Sequence, residues 1–126
     1  MHTLNVACWN KEEELKLYLP ASFRTTGDAS VKNKVSNHFI KVKAEKLDDI
    51  LKTVEMGSVK LIKIDAEGAE GEIIEGAEET IVKRKPLKII FEAKDSEQFA
   101  KCEQILKRYG MKIKQIDSHN FLAEKR

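Results

Sequence analysis

Three carboxylates, Asp65, Glu67 and Glu70, fall within the stretch Lys63-Ile64-Asp65-Ala66-Glu67-Gly68-Ala69-Glu70-Gly71. Carboxylates at this density can serve as general bases, bind a hard cation such as Mg²⁺, or accept hydrogen bonds from a ligand's hydroxyl or amine groups. The same residue types also stabilise the first turn of a helix by roughly 0.3–1 kcal/mol each, and Asp65 is equally a candidate N-cap. A fourth carboxylate, Glu92, closes the apolar run Leu87 to Phe91. It reads either as a plain strand-to-loop transition or as a group beside Asp65, in which case the two would push each other's pKa values apart.

Other chemistries find less support. His38 and His119 have no nucleophilic partner in the sequence, and Ser22, Ser30 and Ser36 lack the strand-turn-helix setting of a nucleophile elbow. Cys8 and Cys102 stand far apart without CxxC or Cys/His spacing and read as buried free thiols. Trp9 and Phe23 are candidates for a pocket wall or for the core. No Walker sequence, HExxH, EF-hand loop or GxGxxG is present, so no metal is assigned. Lys and Arg number 23 against 21 Asp and Glu, a net charge of +2, with the signs interspersed. With aromatics at only 6%, neither the basic face nor the stacking platform of a nucleic-acid binder is expected. No apolar run reaches the ~18–20 residues of a membrane span, and residues 1–10 carry no basic and apolar leader pattern, so a cytoplasmic location is expected.

The elements that must position these groups follow from periodicity. A chain of 126 residues is the length of one domain, and 1–126 is read as a single α/β unit. Leu4 to Trp9 is a short apolar run, and Leu15, Leu17 and Leu19 alternate up to Pro20; together they predict a hairpin. Residues 21–37 are a loop by composition. Phe39 to Ala44 alternates again, with Ile40 and Val42 on one face. Leu47, Ile50, Leu51 and Val54 make a helical stripe stopped near Gly57. Val59 to Ile64 is a strand, and Ile73, Ile74, Ala77 and Ile81 predict one helix after it. Gly71 and Gly76 inside that helix cost about 1 kcal/mol each, which implies close approach of backbone or ligand. Leu87 to Phe91 is a buried strand. Asp95 or Ser96 then caps a helix whose core face is Phe99, Cys102, Ile105, Leu106 and Tyr109, ending at Gly110. Met111 to Ile116 and Phe121 to Ala123 form a C-terminal hairpin. Strand-helix-strand order predicts an α/β sheet with parallel central strands, and the carboxylate segment then lies at a strand's carboxyl end, where ligands bind in such sheets.

The segment VKLIKIDAEGAEGEIIEGA, beginning at Val59, resembles the signature of FkbM-type S-adenosylmethionine-dependent methyltransferases. Lys46-Leu47-Asp48-Asp49-Ile50-Leu51 is similar to the helix that precedes that signature, and Lys85-Pro86 through Glu92 to the strand that follows. The resemblance runs from near residue 4 to the C-terminus. It implies a partial Rossmann-like class I methyltransferase fold, S-adenosylmethionine as cofactor, and methyl transfer to a hydroxyl of a small molecule or sugar. It also implies catalytic roles for Asp65, Glu67 and Glu92, and donor contacts for Asp65, Ala66, Gly68 and Glu70.

The full family strand order is 3-2-1-4-5-7-6, with a glycine-rich loop after strand 1 and a ribose-binding acid after strand 2. Neither motif occurs in this sequence, so the chain is expected to correspond to the C-terminal part of a methyltransferase domain. Val59–Ile64 would then have an open apolar edge, closed either by the Phe39–Ala44 strand or by a second copy or partner chain. The alternative expectation is a non-catalytic α/β module that acts by association.

Overall fold

A computed structural model describes residues 3–19, 31–32, 38–54 and 57–125. Pro20, Ser22, Phe23, Ser30, Ser36 and all of the 21–37 loop except Val31 and Lys32 lie outside the described residues. Among the described residues the fold is mixed α/β, with two sheets and four helices.

The first sheet holds β1 (Ala7–Trp9), β2 (Glu13–Tyr18) and β3 (Phe39–Lys46) in the order β1-β3-β2. The hairpin expected from the first two strands is not formed. β3 inserts between them, parallel to β1 and antiparallel to β2, with Ala44 opposite both Ala7 and Glu13. Local alternation made both strands legible, but a three-residue β1 leaves pairing to be decided by a distant strand. β3 leads directly into α1 (Leu47–Thr53).

The second sheet holds β4 (Leu61–Ile64), β5 (Leu87–Glu92), β6 (Lys112–Gln115) and β7 (Asn120–Lys125) in the order β4-β5-β7-β6. β4 and β5 are parallel, while β7 runs antiparallel to both β5 and β6. Parallel neighbours followed by a C-terminal antiparallel hairpin are as the sequence predicts. β3 does not close the free side of β4, because both of its edges are taken by β1 and β2. Among the described residues β4 is therefore an edge strand. Lys60 gives its carbonyl to the Lys88 N–H at 2.9 Å, so by alternation Leu61 and Lys63 turn their main-chain groups to the open side. The Leu61 side chain is 57% exposed there.

The single helix expected after the signature is two short ones, α2 (Glu70–Glu75) and α3 (Glu78–Lys83), broken at Gly76 and Ala77. At the break a Cβ on Gly76 would stand 2.1 Å from the Trp9 carbonyl oxygen, so the close approach there requires glycine. α3 has no capping side chain of its own. Asp48 of α1 supplies one, accepting from the N–H groups of Glu79 (3.0 Å) and Thr80 (2.8 Å) and from the Thr80 hydroxyl (2.6 Å). The last helix, α4 (Ser96–Arg108), is capped by Asp95, which accepts from the Gln98 N–H at 2.8 Å.

The core lies between the second sheet and α2, α3 and α4. Ile74, Ile81, Leu87, Ile89, Phe91 and Leu106 have no exposed surface. Cys102 is buried as expected, and burial raises its thiol pKa to about 12; Cys8 is only half-buried. No helix among the described residues is long and apolar enough to cross a membrane.

Candidate active site at the carboxyl ends of the parallel strands

β4 delivers Asp65 to the end of the sheet and β5 delivers Glu92. Ile64 pairs with Phe91, so these two carboxylates are the next residues on adjacent parallel strands. The chain then turns sharply: Glu67 has φ 48° and Gly68 φ 104°. Glycine adopts such angles without penalty, whereas a β-carbon at Glu67 costs on the order of 1 kcal/mol. Strain of this kind persists only where neighbouring contacts fix the loop.

Glu70 is that contact. Its side chain is turned back under the loop, 2% exposed, with one oxygen accepting from Ala66 N–H at 2.9 Å and the other from Gly68 N–H at 3.0 Å. Glu70, which the resemblance placed among the donor contacts, is thus a buried staple here, and the N–H groups of Ala66 and Gly68 are engaged by it.

Folding the loop this way brings Asp65, Glu67 and Glu92 together. One oxygen from each lies within 4.8 Å of the other two, with Asp65 exposed and the glutamates half-buried. Lys94, which the sequence reading did not single out, is the cation of the group. Its Nζ lies 2.6 Å from Glu67 Oε2 and 3.6 Å from Glu92 Oε1. The signal for it was a lysine two residues beyond the strand-closing acid.

Among the described residues, three carboxylates stand around the Lys94 ammonium. Partial burial pushes the Glu92 carboxyl above its usual range; Lys94 opposes the shift, and Asp65, Glu67 and Glu70 add to it. Lys94 is held protonated above its usual range, chiefly by the hydrogen bond to Glu67. An acid with a raised pKa beside a fixed cation is suited to exchanging a proton with a bound hydroxyl. The same three oxygens have the spacing to surround a cation, and Lys94 already presents its ammonium to two of them.

Glu72, also outside the sequence reading, anchors the loop from behind. It is 6% exposed, and one oxygen accepts from Lys32 and Lys101, each at 2.6 Å. Lys101 reaches it by crossing directly over Gly71, where a Cβ would stand 2.7 Å from the lysine chain. The expected close approaches at Gly71 and Gly76 are therefore both present, one to a side chain and one to backbone. Trp9 packs against the core, and His38 and His119 are exposed.

A family model for the methyltransferase FkbM domain matches residues 2–113. The chain belongs to the FkbM methyltransferase family. No match is found among curated proteins or among solved structures. Membership joins the fold to the site: the FkbM signature read from Val59 onward is the segment that forms β4, the strained loop and α2. The FkbM-like helix motif at Lys46 to Leu51 gains a physical reason as well, because its Asp48 caps α3.

Proposed function

We propose that the rim at the ends of β4 and β5 is the methyl-transfer site of an S-adenosylmethionine-dependent methyltransferase acting on a hydroxyl of a small molecule or sugar. The observation that carries this reading is the convergence of Asp65, Glu67 and Glu92 within 4.8 Å at the carboxyl end of parallel strands, in a chain of this family.

The carboxylates of the rim complement the sulfonium and ammonium charges of S-adenosylmethionine, and Asp65, exposed at the tip of β4, is the residue to hold them. Ala66 lends the donor its carbonyl side, its N–H being engaged by Glu70. Gly68 shapes the loop instead of donating to a ligand. When bound, S-adenosylmethionine supplies an activated methyl group. Glu92 takes up the proton of the acceptor hydroxyl, and Lys94 and Glu67 fix the position of Glu92.

The chain is, in this reading, the C-terminal part of a methyltransferase domain. Its open β4 edge, with exposed Leu61, is where a second copy or a partner chain completes the sheet and the donor site. One observation favours the association module instead: the loop N–H groups that would face a ligand are already occupied by Glu70. Isothermal titration with S-adenosylmethionine, on the wild-type protein and on Asp65→Asn, separates the two. Micromolar binding that weakens in the variant supports the enzyme; absence of heat at millimolar donor supports the module or a requirement for the missing partner.

A further inference from the structure

A cavity of about 550 Å³ opens beside the rim, between the start of α4 and the turn joining β6 to β7. Its floor is aromatic. The Phe99 and Phe121 rings lie 4.5 Å apart, both half-buried, and Phe121 stacks at 5.5 Å on the fully buried Phe91. The rim of the cavity is polar, with Ser96, Ser118, His119 and Gln115 around it. Its lining charges are already engaged: Lys107 is paired with Glu103 at 3.2 Å, Lys94 with Glu67 and Glu92, and Asp95 caps α4.

The walls are fixed in place. Ala93 donates its N–H to the His119 carbonyl at 2.8 Å, and the Asp117 carboxylate accepts from the N–H groups of His119 (3.0 Å) and Asn120 (2.9 Å). Lys94 belongs to both places, lining the cavity while its Nζ touches Glu67 and Glu92. A ligand in the cavity is thus one side chain away from the carboxylates.

We propose that this cavity seats the methyl acceptor, and that the acceptor is a neutral, hydroxyl-bearing molecule with one apolar ring face. Half-buried phenyl rings gain by covering a flat apolar surface, and the polar rim pairs with hydroxyls. With both lysines engaged within the protein, the cavity gives no premium to an anion such as a nucleotide or an acid. The proposal rests on the methyl-transfer reading of the rim for its role, but the binding itself is tested without the donor.

The test is amide chemical-shift mapping of the full chain with methyl β-glucoside and with p-cresol, a carbohydrate and a phenolic source of the same chemistry. Perturbation of Phe99, Ser118, His119 and Phe121 by either probe, with affinity on the order of millimolar, is expected, and the tighter probe identifies the source. Ser118→Trp, at an exposed turn position, fills the mouth and is expected to weaken binding at least about tenfold; Phe121→Ala removes the floor. Absence of these perturbations with both probes overturns the proposal, as does binding of glucuronate or 4-hydroxybenzoate about tenfold tighter than their neutral counterparts. Binding in the cavity without methyl transfer on adding donor sinks the transferase reading and leaves the pocket. Transfer with an unchanged KM in Ser118→Trp sinks the pocket and leaves the transferase.

Discussion

Gly76 faces the backbone of Trp9 so closely that a β-carbon on it would stand 2.1 Å from the Trp9 carbonyl oxygen. Backbone on both sides leaves nothing to yield. Gly76→Ala is expected to cost about 1–3 kcal/mol or more in urea unfolding, by prising β1 from the α2–α3 junction. Gly71→Ala meets only the methylene chain of Lys101, which can swing aside, and is expected to cost less. Equal losses would contradict the steric account.

Asp48 serves as the missing cap of α3 from another helix, with two N–H groups and a hydroxyl on one carboxylate. Asp48→Ala is expected to destabilise by about 1–2 kcal/mol, while Asp49→Ala, exposed on the same helix, stays within roughly 0.5 kcal/mol. Chemical unfolding of the pair decides it.

Glu70 carries the strained turn. Glu70→Ala leaves the Ala66 and Gly68 N–H groups without their acceptor, at about 1–3 kcal/mol for each that stays buried. The loop then relaxes, so accelerated hydrogen exchange at residues 66–68 is expected even where the variant remains folded. Unchanged exchange there would show that the staple does not hold the loop.

Acid stability should report on Glu72. Burial pushes this carboxyl up, but hydrogen bonds from Lys101 and Lys32 outweigh burial and hold it below its ordinary value of 4.5. Because the folded state favours the ionised form, the contribution is present in full above that ordinary value. It is lost as pH falls through the lowered folded value. Glu72→Gln should flatten the stability profile in unfolding measured from neutral pH down into the acid range below 4.5. A variant with the wild-type acid slope would assign that slope to other carboxylates.

Much of the fold was legible in the sequence. Leu87–Glu92, the Asp95-capped α4 and the C-terminal hairpin followed from apolar runs and caps that act over a few residues. The adjacency of Asp65 and Glu92 followed from two parallel strands ending on one rim. Long-range pairings were not legible. β3 separates β1 from β2, and a continuous helical pattern is interrupted at Gly76, which lies against the Trp9 carbonyl. Within the site, Glu70 has the same spacing as its neighbours, and only the reversal at Glu67 and Gly68 turns it inward. Lys94 and Glu72 were hidden for a related reason: on a chain with 44 charged residues, a lysine or glutamate gives no local sign of its partner.

The central claim, that the rim at the ends of β4 and β5 is where the methyl donor binds, is tested most directly by amide mapping of the protein titrated with S-adenosylmethionine. The account predicts perturbations centred on Asp65, Ala66, Glu92 and Lys94, diminished in Asp65→Asn. No perturbation at these residues at saturating donor, or perturbations confined to another face, would contradict it.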